Sequence, residues 1–379
     1  METEQNRWTK EKGWEPKVPG QLGESVQLVL LFGSTSILKK QKYMDEIRKV
    51  YPKAHLFGCS TAGEIYGTQV SDDSLVVTAV NFEHTQLEGA QIKISEIDSG
   101  FQAGEHLARS LDKNGLAHVL VLSDGLKING SDLVKGLTKN LPEKVSVTGG
   151  LSGDGGRFEE TLVMLDSPPK KDTIAVMGLY GNRLKVGYGS FGGWDAFGPD
   201  RLITKSKGNV LYELEGESAL ELYKRYLGEH AQGLPATGLL FPLNLRTKEG
   251  ESGVVRTILS VSEKEQSLTF AGDVPEGAYV HLMKANFDRL IDGAVDAAKT
   301  SYQAIGSITP DLAILISCVG RKMVLKQRIE EEVEGVREVL GDKAVLAGFY
   351  SYGEISPSMP GSPCKLHNQT MTITTLSER

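Results

Sequence analysis

The chain has 379 residues, 40% hydrophobic and 24% charged, with 42 basic against 49 acidic side chains and a net charge of −7. That is an ordinary globular composition, long enough for two domains, and it lacks the basic stripe that nucleic acid or an anionic membrane would select. The longest apolar runs, near Val26–Phe32 and Ala313–Val319, have the length of buried strands and cannot span a bilayer. The N-terminus is polar and carries no hydrophobic signal region. Three cysteines, Cys59, Cys318 and Cys364, are an odd number without framework spacing, which fits reduced thiols in a cytoplasm.

In chain order, residues 1–25 read as a flexible N-terminal arm. A unit then recurs three times: buried strand, polar turn, helix, second strand, glycine loop. The first is Val26–Phe32, a helix near Ile37–Tyr51 with Ser36 as its cap, strand Ala54–Phe57 and loop Gly58–Glu64. The second is His118–Leu122, a helix near Ser131–Leu141, strand Val145–Thr148 and loop Gly149–Gly156. The third is Leu312–Ser317, a helix near Met323–Leu340, strand Val345–Ala347 and loop Gly348–Glu354. Apolar strands joined by helices are parallel, and ligands on such sheets sit at the strands' carboxyl ends, where all three loops lie. Between the units the pattern has period two. Ile174–Tyr180 and Leu184–Ser190 read as a hairpin turning at Gly181-Asn182, and Val254–Val261, Ser267–Phe270 and Ala278–Met283 as a further antiparallel set. The whole reads as a mixed α/β protein of two related halves, 26–195 and 205–379, with helices outside packed sheets.

Two distant segments are nearly the same sentence. Lys53-Ala54-His55-Leu56-Phe57-Gly58-Cys59-Ser60-Thr61-Ala62-Gly63-Glu64-Ile65 and Lys343-Ala344-Val345-Leu346-Ala347-Gly348-Phe349-Tyr350-Ser351-Tyr352-Gly353-Glu354-Ile355 agree at seven of thirteen positions. The match predicts a duplicated scaffold whose halves are related by an approximate two-fold axis, with Gly58 equivalent to Gly348 and Glu64 to Glu354.

These residues also resemble a known family, the FIST proteins, built of FIST N and FIST C domains. Phe57–Ile65 looks like the signature of the N-domain. Asn209–Leu214 with Ala219–Tyr223, Phe270–Gly277 and Gly348–Ile355 look like C-domain motifs. The resemblance covers most of 26–357 and implies a cytoplasmic sensory module for small ligands such as amino acids, in signal transduction. The residues here leave no room for a kinase, cyclase or receptor module, so the resemblance implies a separate signalling output protein as partner.

Gly58-x4-Gly63 has the frame of a phosphate loop, but Glu64 stands where the lysine belongs and repels phosphate. An amino acid or similar small polar metabolite is the better match: backbone N–H groups with the Ser60 and Thr61 hydroxyls for its carboxylate, Glu64 for its ammonium. The bland alternative is a tight turn whose Glu64 caps backbone donors. Gly58, Cys59, Ser60, Thr61, Gly63 and Glu64 are therefore candidate ligand residues, as are Tyr350, Ser351, Tyr352, Gly353 and Glu354 of the matching loop, where core tyrosines are the alternative. Gly149, Gly150 and Asp154 of the third loop contact ligand or simply turn the chain. Gly187-x-Gly189-x-x-Gly192 matches a dinucleotide pattern, but no helix opens after it, so no nucleotide cofactor is expected. The seven histidines and three cysteines show no metal spacing. Two rival readings remain: an enzyme using Glu64 and Glu354 as an acid–base pair or Cys59 as nucleophile, and a ligand-free interaction scaffold.

Overall fold

The computed structural model describes residues 1–246 and 253–379. Its core is three six-stranded mixed sheets, each built around one of the three recurrent units. In the first sheet Leu28–Gly33 runs parallel to His55–Ser60, with Leu75–Asn81 antiparallel on its other side. In the second, Leu116–Ser123 is parallel to Ser146–Leu151 and antiparallel to Thr173–Tyr180. In the third, Leu312–Cys318 is parallel to Val345–Ser351 and antiparallel to Met371–Glu378. The halves are thus built from the same unit, as the shared segment implies. The first half holds two copies and the second half one.

The copies exchange strands in a ring. After His55–Ser60 the chain crosses to add Glu64–Tyr66 to the third sheet, against Val345–Ser351. After Val345–Ser351 it adds Gly353–Pro357 to the second sheet, against Ser146–Leu151. After Ser146–Leu151 it adds Val163–Leu165 to the first sheet, against His55–Ser60. This order of three units, not a two-fold between halves, relates the matched loops. Apolar residues explain the closure. Phe32 and Phe57 of the first sheet, Leu120 and Met177 of the second, and Ile316 and Phe349 of the third belong to one buried cluster, and the Phe32 and Phe349 rings lie 4.7 Å apart. The opposite faces bury Val29, Leu31 and Val77 under Gln41–Val50, and Val121 and Leu315 under the helices of the other two units. Strands covered on both faces read as continuous apolar runs, which is why the sequence shows them so plainly.

Three glycines mark equivalent positions. Gly58, Gly149 and Gly348 sit in register with Leu31, Val121 and Leu315 of their parallel neighbours. A Cβ at each would lie 2.1, 1.9 and 1.8 Å from that neighbour's carbonyl oxygen. Asp73, Asp172 and Gln369, each just before or at the turn into the third strand of its unit, all take left-handed φ, 52°, 54° and 63°.

Several expectations are corrected. Residues 1–25 are not an arm throughout: Glu2–Thr9 is a strand in register with Leu75–Asn81, and buried Glu4 accepts from Gly20 N–H, Leu22 N–H and the Tyr51 hydroxyl. Its polar sequence hides a strand at the sheet's rim. The first helix is broken into Thr35–Leu38 and Gln41–Val50, and Ser34, not Ser36, precedes it. Thr173–Tyr180 and Leu184–Phe191 are no hairpin; Gly181 and Asn182 carry the chain from the second sheet to the third, where Leu184–Phe191 pairs with Met371–Glu378. Gly187 and Gly189 let the helix Phe287–Ala304 lie directly on that strand, since a Cβ at either would meet the Ser301 or Ala297 carbonyl at 2.0 or 2.5 Å. The expected boundary near 195–205 falls inside one strand, Asp195–Lys207, which opens an antiparallel sheet inserted between Leu184–Phe191 and Phe287–Ala304.

Candidate functional site

The three glycine loops meet at one end of the sheets and bind one another. Ala62 N–H donates to the Tyr350 carbonyl and Tyr350 N–H to that of Gly63, both at 2.8 Å. Tyr352 N–H donates to the Leu151 carbonyl at 3.2 Å, and Gly153 and Gly155 N–H donate to the Ser60 and Thr61 carbonyls at 2.9 and 3.1 Å. Much of the loops' backbone is therefore committed to each other.

The two matched glutamates have matched partners. The Thr61 hydroxyl donates to Glu64, whose other oxygen accepts the Ser74 N–H and hydroxyl at 3.1 and 2.7 Å. The Ser351 hydroxyl donates to Glu354 at 2.6 Å, and the Thr370 N–H and hydroxyl donate at 3.2 and 2.9 Å. Ser74 and Thr370 each directly precede the third strand of their unit. Each glutamate thus ties a glycine loop to the strand that returns beside it. Both carboxyls are fully buried, and burial raises them, Glu64 to about 7 and Glu354 to about 8.

This has a pH consequence. Each group binds its proton more tightly folded than unfolded, so its contribution to stability is complete below about pH 4.5 and is lost as pH rises through 7 and 8. Buried His118 and His367, lowered by burial to about 3 and 4, act in the opposite sense, but only below about pH 6.5. We expect the urea midpoint to fall from pH 6.5 to 8. Glu354→Gln should flatten that fall, and an equal slope in wild type and variant would contradict the assignment.

Next to Glu64 lies a cavity of about 460 Å³. The first unit contributes Ser34, Thr61–Glu64, Asp72 and Asp73; the second, Gly155–Arg157; the third, Val319, Lys322 and Met323. Lys322 sits on the short helix Val319–Leu325, where its ammonium donates to the Ala62 carbonyl at 2.8 Å and pairs with Asp72. Gly63 has φ 143°, a conformation that favours glycine, and a Cβ there would lie 2.5 Å from the Lys322 Nζ and displace that ammonium. Arg157 is half exposed and lies within 4.0 Å of Asp154. The cavity therefore offers two cations, two carboxylates at Asp72 and Asp73, hydroxyls and a small apolar wall.

The FIST N domain matches residues 27–217 and the FIST C domain residues 219–357. The chain belongs to the FIST family. Its domains are associated with sensing in signal transduction. The chain is also 25% identical over 369 residues to the uncharacterized protein MJ1623 of Methanocaldococcus jannaschii, a match covering 86% of this chain and 69% of that protein. The junction of the two matched domains falls within the inserted sheet, some residues beyond the boundary read from the sequence.

Within this FIST protein the expected site residues divide. Thr61, Gly63 and Glu64 line the cavity. Ser60 is buried and its hydroxyl accepts the Leu162 N–H at 2.8 Å, which occupies it within the sheet. Gly58, Gly149 and Gly150 lie in strands, where they admit a neighbour's backbone or, at Gly150, the Ile316 side chain. Asp154 turns its own loop, accepting the N–H groups of Phe158, Glu159 and Glu160, while the Tyr352 hydroxyl donates to it. Tyr350 is buried and donates to Glu332 at 2.6 Å. Ser351, Tyr352, Gly353 and Glu354 stand at the equivalent of the cavity in the third unit, but the inserted sheet covers that copy. Asn368 and Gln369 replace Asp72 and Asp73 there. Thr257 N–H donates to Asn368 at 3.4 Å, and Gln369 donates to the Leu239 carbonyl at 2.8 Å.

Cys59 is wholly buried and burial raises its thiol far above the usual range, opposite to what a nucleophile needs. His55 is engaged by Asp166 at 2.6 Å. The cavity is lined by Glu64 and not by Glu354. Among the described residues no helix is long and apolar enough to cross a membrane, and no group of three or more His, Cys, Asp or Glu side chains is placed to hold a metal ion. The sequence reading missed Arg157 and Lys322. Arg157 follows directly on Gly155-Gly156, a detectable signal; Lys322 comes from a helix some 260 residues away from Ala62 in sequence and carries none.

Proposed function

We propose that the chain senses a small zwitterionic metabolite, an amino acid or close relative, in the cavity beside Gly63. The observation that carries this reading is the presence of both charge signs around one small space. Arg157 suits a carboxylate and Asp73 an ammonium group, beside the Lys322–Asp72 pair, and Val319 and Met323 accept a short aliphatic body. Glu64 acts behind this wall as a tie within the scaffold and does not itself take the ammonium group. Helix Val319–Leu325 supports a sensory role. It lines the cavity on one side, and its Val324 and Leu325 belong to a buried cluster with Trp194 and Met283, against which Leu240 of the insert packs. Occupancy would thus bear on the insert, and we place the docking of a separate output protein there.

A thermal-shift panel of amino acids and related metabolites tests the reading. At a hundredfold excess over Kd a native-state ligand stabilises by about 2.7 kcal/mol, an easily read shift. Arg157→Gln, at an exposed side chain, should leave the unliganded melting temperature unchanged and weaken the hit about tenfold or more. A panel without any stabiliser would favour the ligand-free scaffold, and a hit that Arg157→Gln leaves untouched would move the site elsewhere.

A further inference from the structure

A second cavity, of about 300 Å³, lies where the insert meets the second unit. It is lined by Ser131 and Val134 of the helix Gly130–Lys139, by Leu245, Val254 and Arg256 of the insert, and by Asp273. Arg256 is its informative residue. The chain buries Arg321 almost completely too, but Arg321 is paired with Glu332 at 2.7 Å. Arg256 is only 7% exposed, and among the described residues no carboxylate forms an ion pair with it. Its guanidinium donates to the Leu366 carbonyl at 2.9 Å, to the Asp273 carbonyl at 3.2 Å and to the Ser131 hydroxyl at 3.4 Å. A guanidinium carries five N–H donors, so these contacts leave some unused.

A buried cation without a counter-charge is costly, and a fold retains one where an anion joins it. The neighbouring acid serves only from beyond ion-pair distance: the Asp273 carboxylate is held by Lys135 at 2.5 Å and by Asn129 at 2.7 Å, and it acts on Arg256 through space. Lys365 lines the same cavity and adds a second positive charge at its exposed rim. Ser131, in the first turn of Gly130–Lys139, lines the cavity, and the Asn129 side chain caps that helix by accepting the Ser131 and Asp132 N–H groups. The remaining wall, Val134, Leu245, Val254 and Leu366, is apolar.

We propose that this cavity binds a small organic carboxylate, with its head group on Arg256 and Lys365 and its hydrocarbon body against Val134, Leu245 and Val254. An occupant there would touch the second unit and the insert at once and so clamp one to the other. This site is separate from the cavity beside Gly63 and does not rest on it.

Isothermal titration of the full chain with hexanoate is the test, with hexylamine and inorganic phosphate as comparators. We expect saturable hexanoate binding, with both comparators at least about tenfold weaker, because one carries the opposite charge and the other lacks the apolar body. Arg256→Gln should weaken hexanoate about tenfold or more. Because Arg256 also holds two carbonyls, that variant can fail to fold. Lys365→Gln, at an exposed side chain, should then weaken binding about threefold, and Val254→Trp, at a half-exposed position, should abolish it by filling the space. No saturable binding to the wild type, phosphate binding as tight as hexanoate, or unchanged affinity in Val254→Trp would each overturn the proposal.

Discussion

Glu332→Ala should destabilise the chain by about 3–5 kcal/mol, because it leaves a buried guanidinium without its counter-charge. Glu332 and Arg321 are both fully buried. Glu332 accepts from Arg321 Nε at 3.0 Å and Nη2 at 2.7 Å, from the Ser317 hydroxyl at 3.1 Å and from the Tyr350 hydroxyl at 2.6 Å. Arg321 also donates to the Gly192 and Leu290 carbonyls at 2.7 and 2.6 Å. One carboxylate therefore joins a strand, the third glycine loop and the helix that carries Lys322. Urea unfolding of the full chain measures the effect. Arg321→Met combined with Glu332→Leu should recover part of the loss, since it removes both charges together but leaves the Ser317 and Tyr350 hydroxyls and the Gly192 and Leu290 carbonyls without those partners. A loss below about 1 kcal/mol for Glu332→Ala would show that the pair is exposed to water in solution.

Gly348→Ala should cost about 3 kcal/mol and Gly58→Ala a similar amount, and Gly149→Ala at least as much, since its φ of 153° adds backbone strain. The new methyl would meet a backbone carbonyl, which cannot turn aside as a side chain can. The parallel strands would have to separate, breaking the ladder that holds each glycine loop in place. Gly156→Ala is the control. It lines the cavity, yet a Cβ there meets nothing within 4 Å, so its stability should change by less than about 0.5 kcal/mol. Large losses at all three strand glycines with none at Gly156 would support three equivalent units. A large loss at only one of the three would not.

The sequence displayed the three units because their strands are buried on both faces and read as unbroken apolar runs, Leu28–Gly33 and Leu312–Cys318 above all. It displayed the matched glutamates because the same tie, hydroxyl to carboxylate to returning strand, is built twice. The exchange of strands around a ring was hidden, since a three-residue strand such as Glu64–Tyr66 looks alike whichever sheet it joins. The supposed hairpin at Gly181-Asn182 failed for the same reason: turn residues fix a local reversal, not the partner strand. The N-terminal strand escaped notice because Glu4 and Asn6 are buried polar residues, Glu4 held by Gly20, Leu22 and Tyr51 and Asn6 donating to the Lys17 carbonyl. The cavity itself was half visible. Thr61, Gly63 and Glu64 lie in one segment, whereas the charges facing them come from Asp72, Arg157 and Lys322, which only the folded chain assembles.

The most direct test of a sensory cavity beside Gly63 is a crystal structure of the full chain soaked with the strongest stabiliser from the amino-acid panel. We expect ligand density bounded by Gly63, Arg157 and Lys322, with its carboxylate toward Arg157 and its ammonium toward Asp72 or Asp73, and none at Ser351–Glu354 beneath the insert. Density anywhere else, with this cavity holding only solvent, would contradict it.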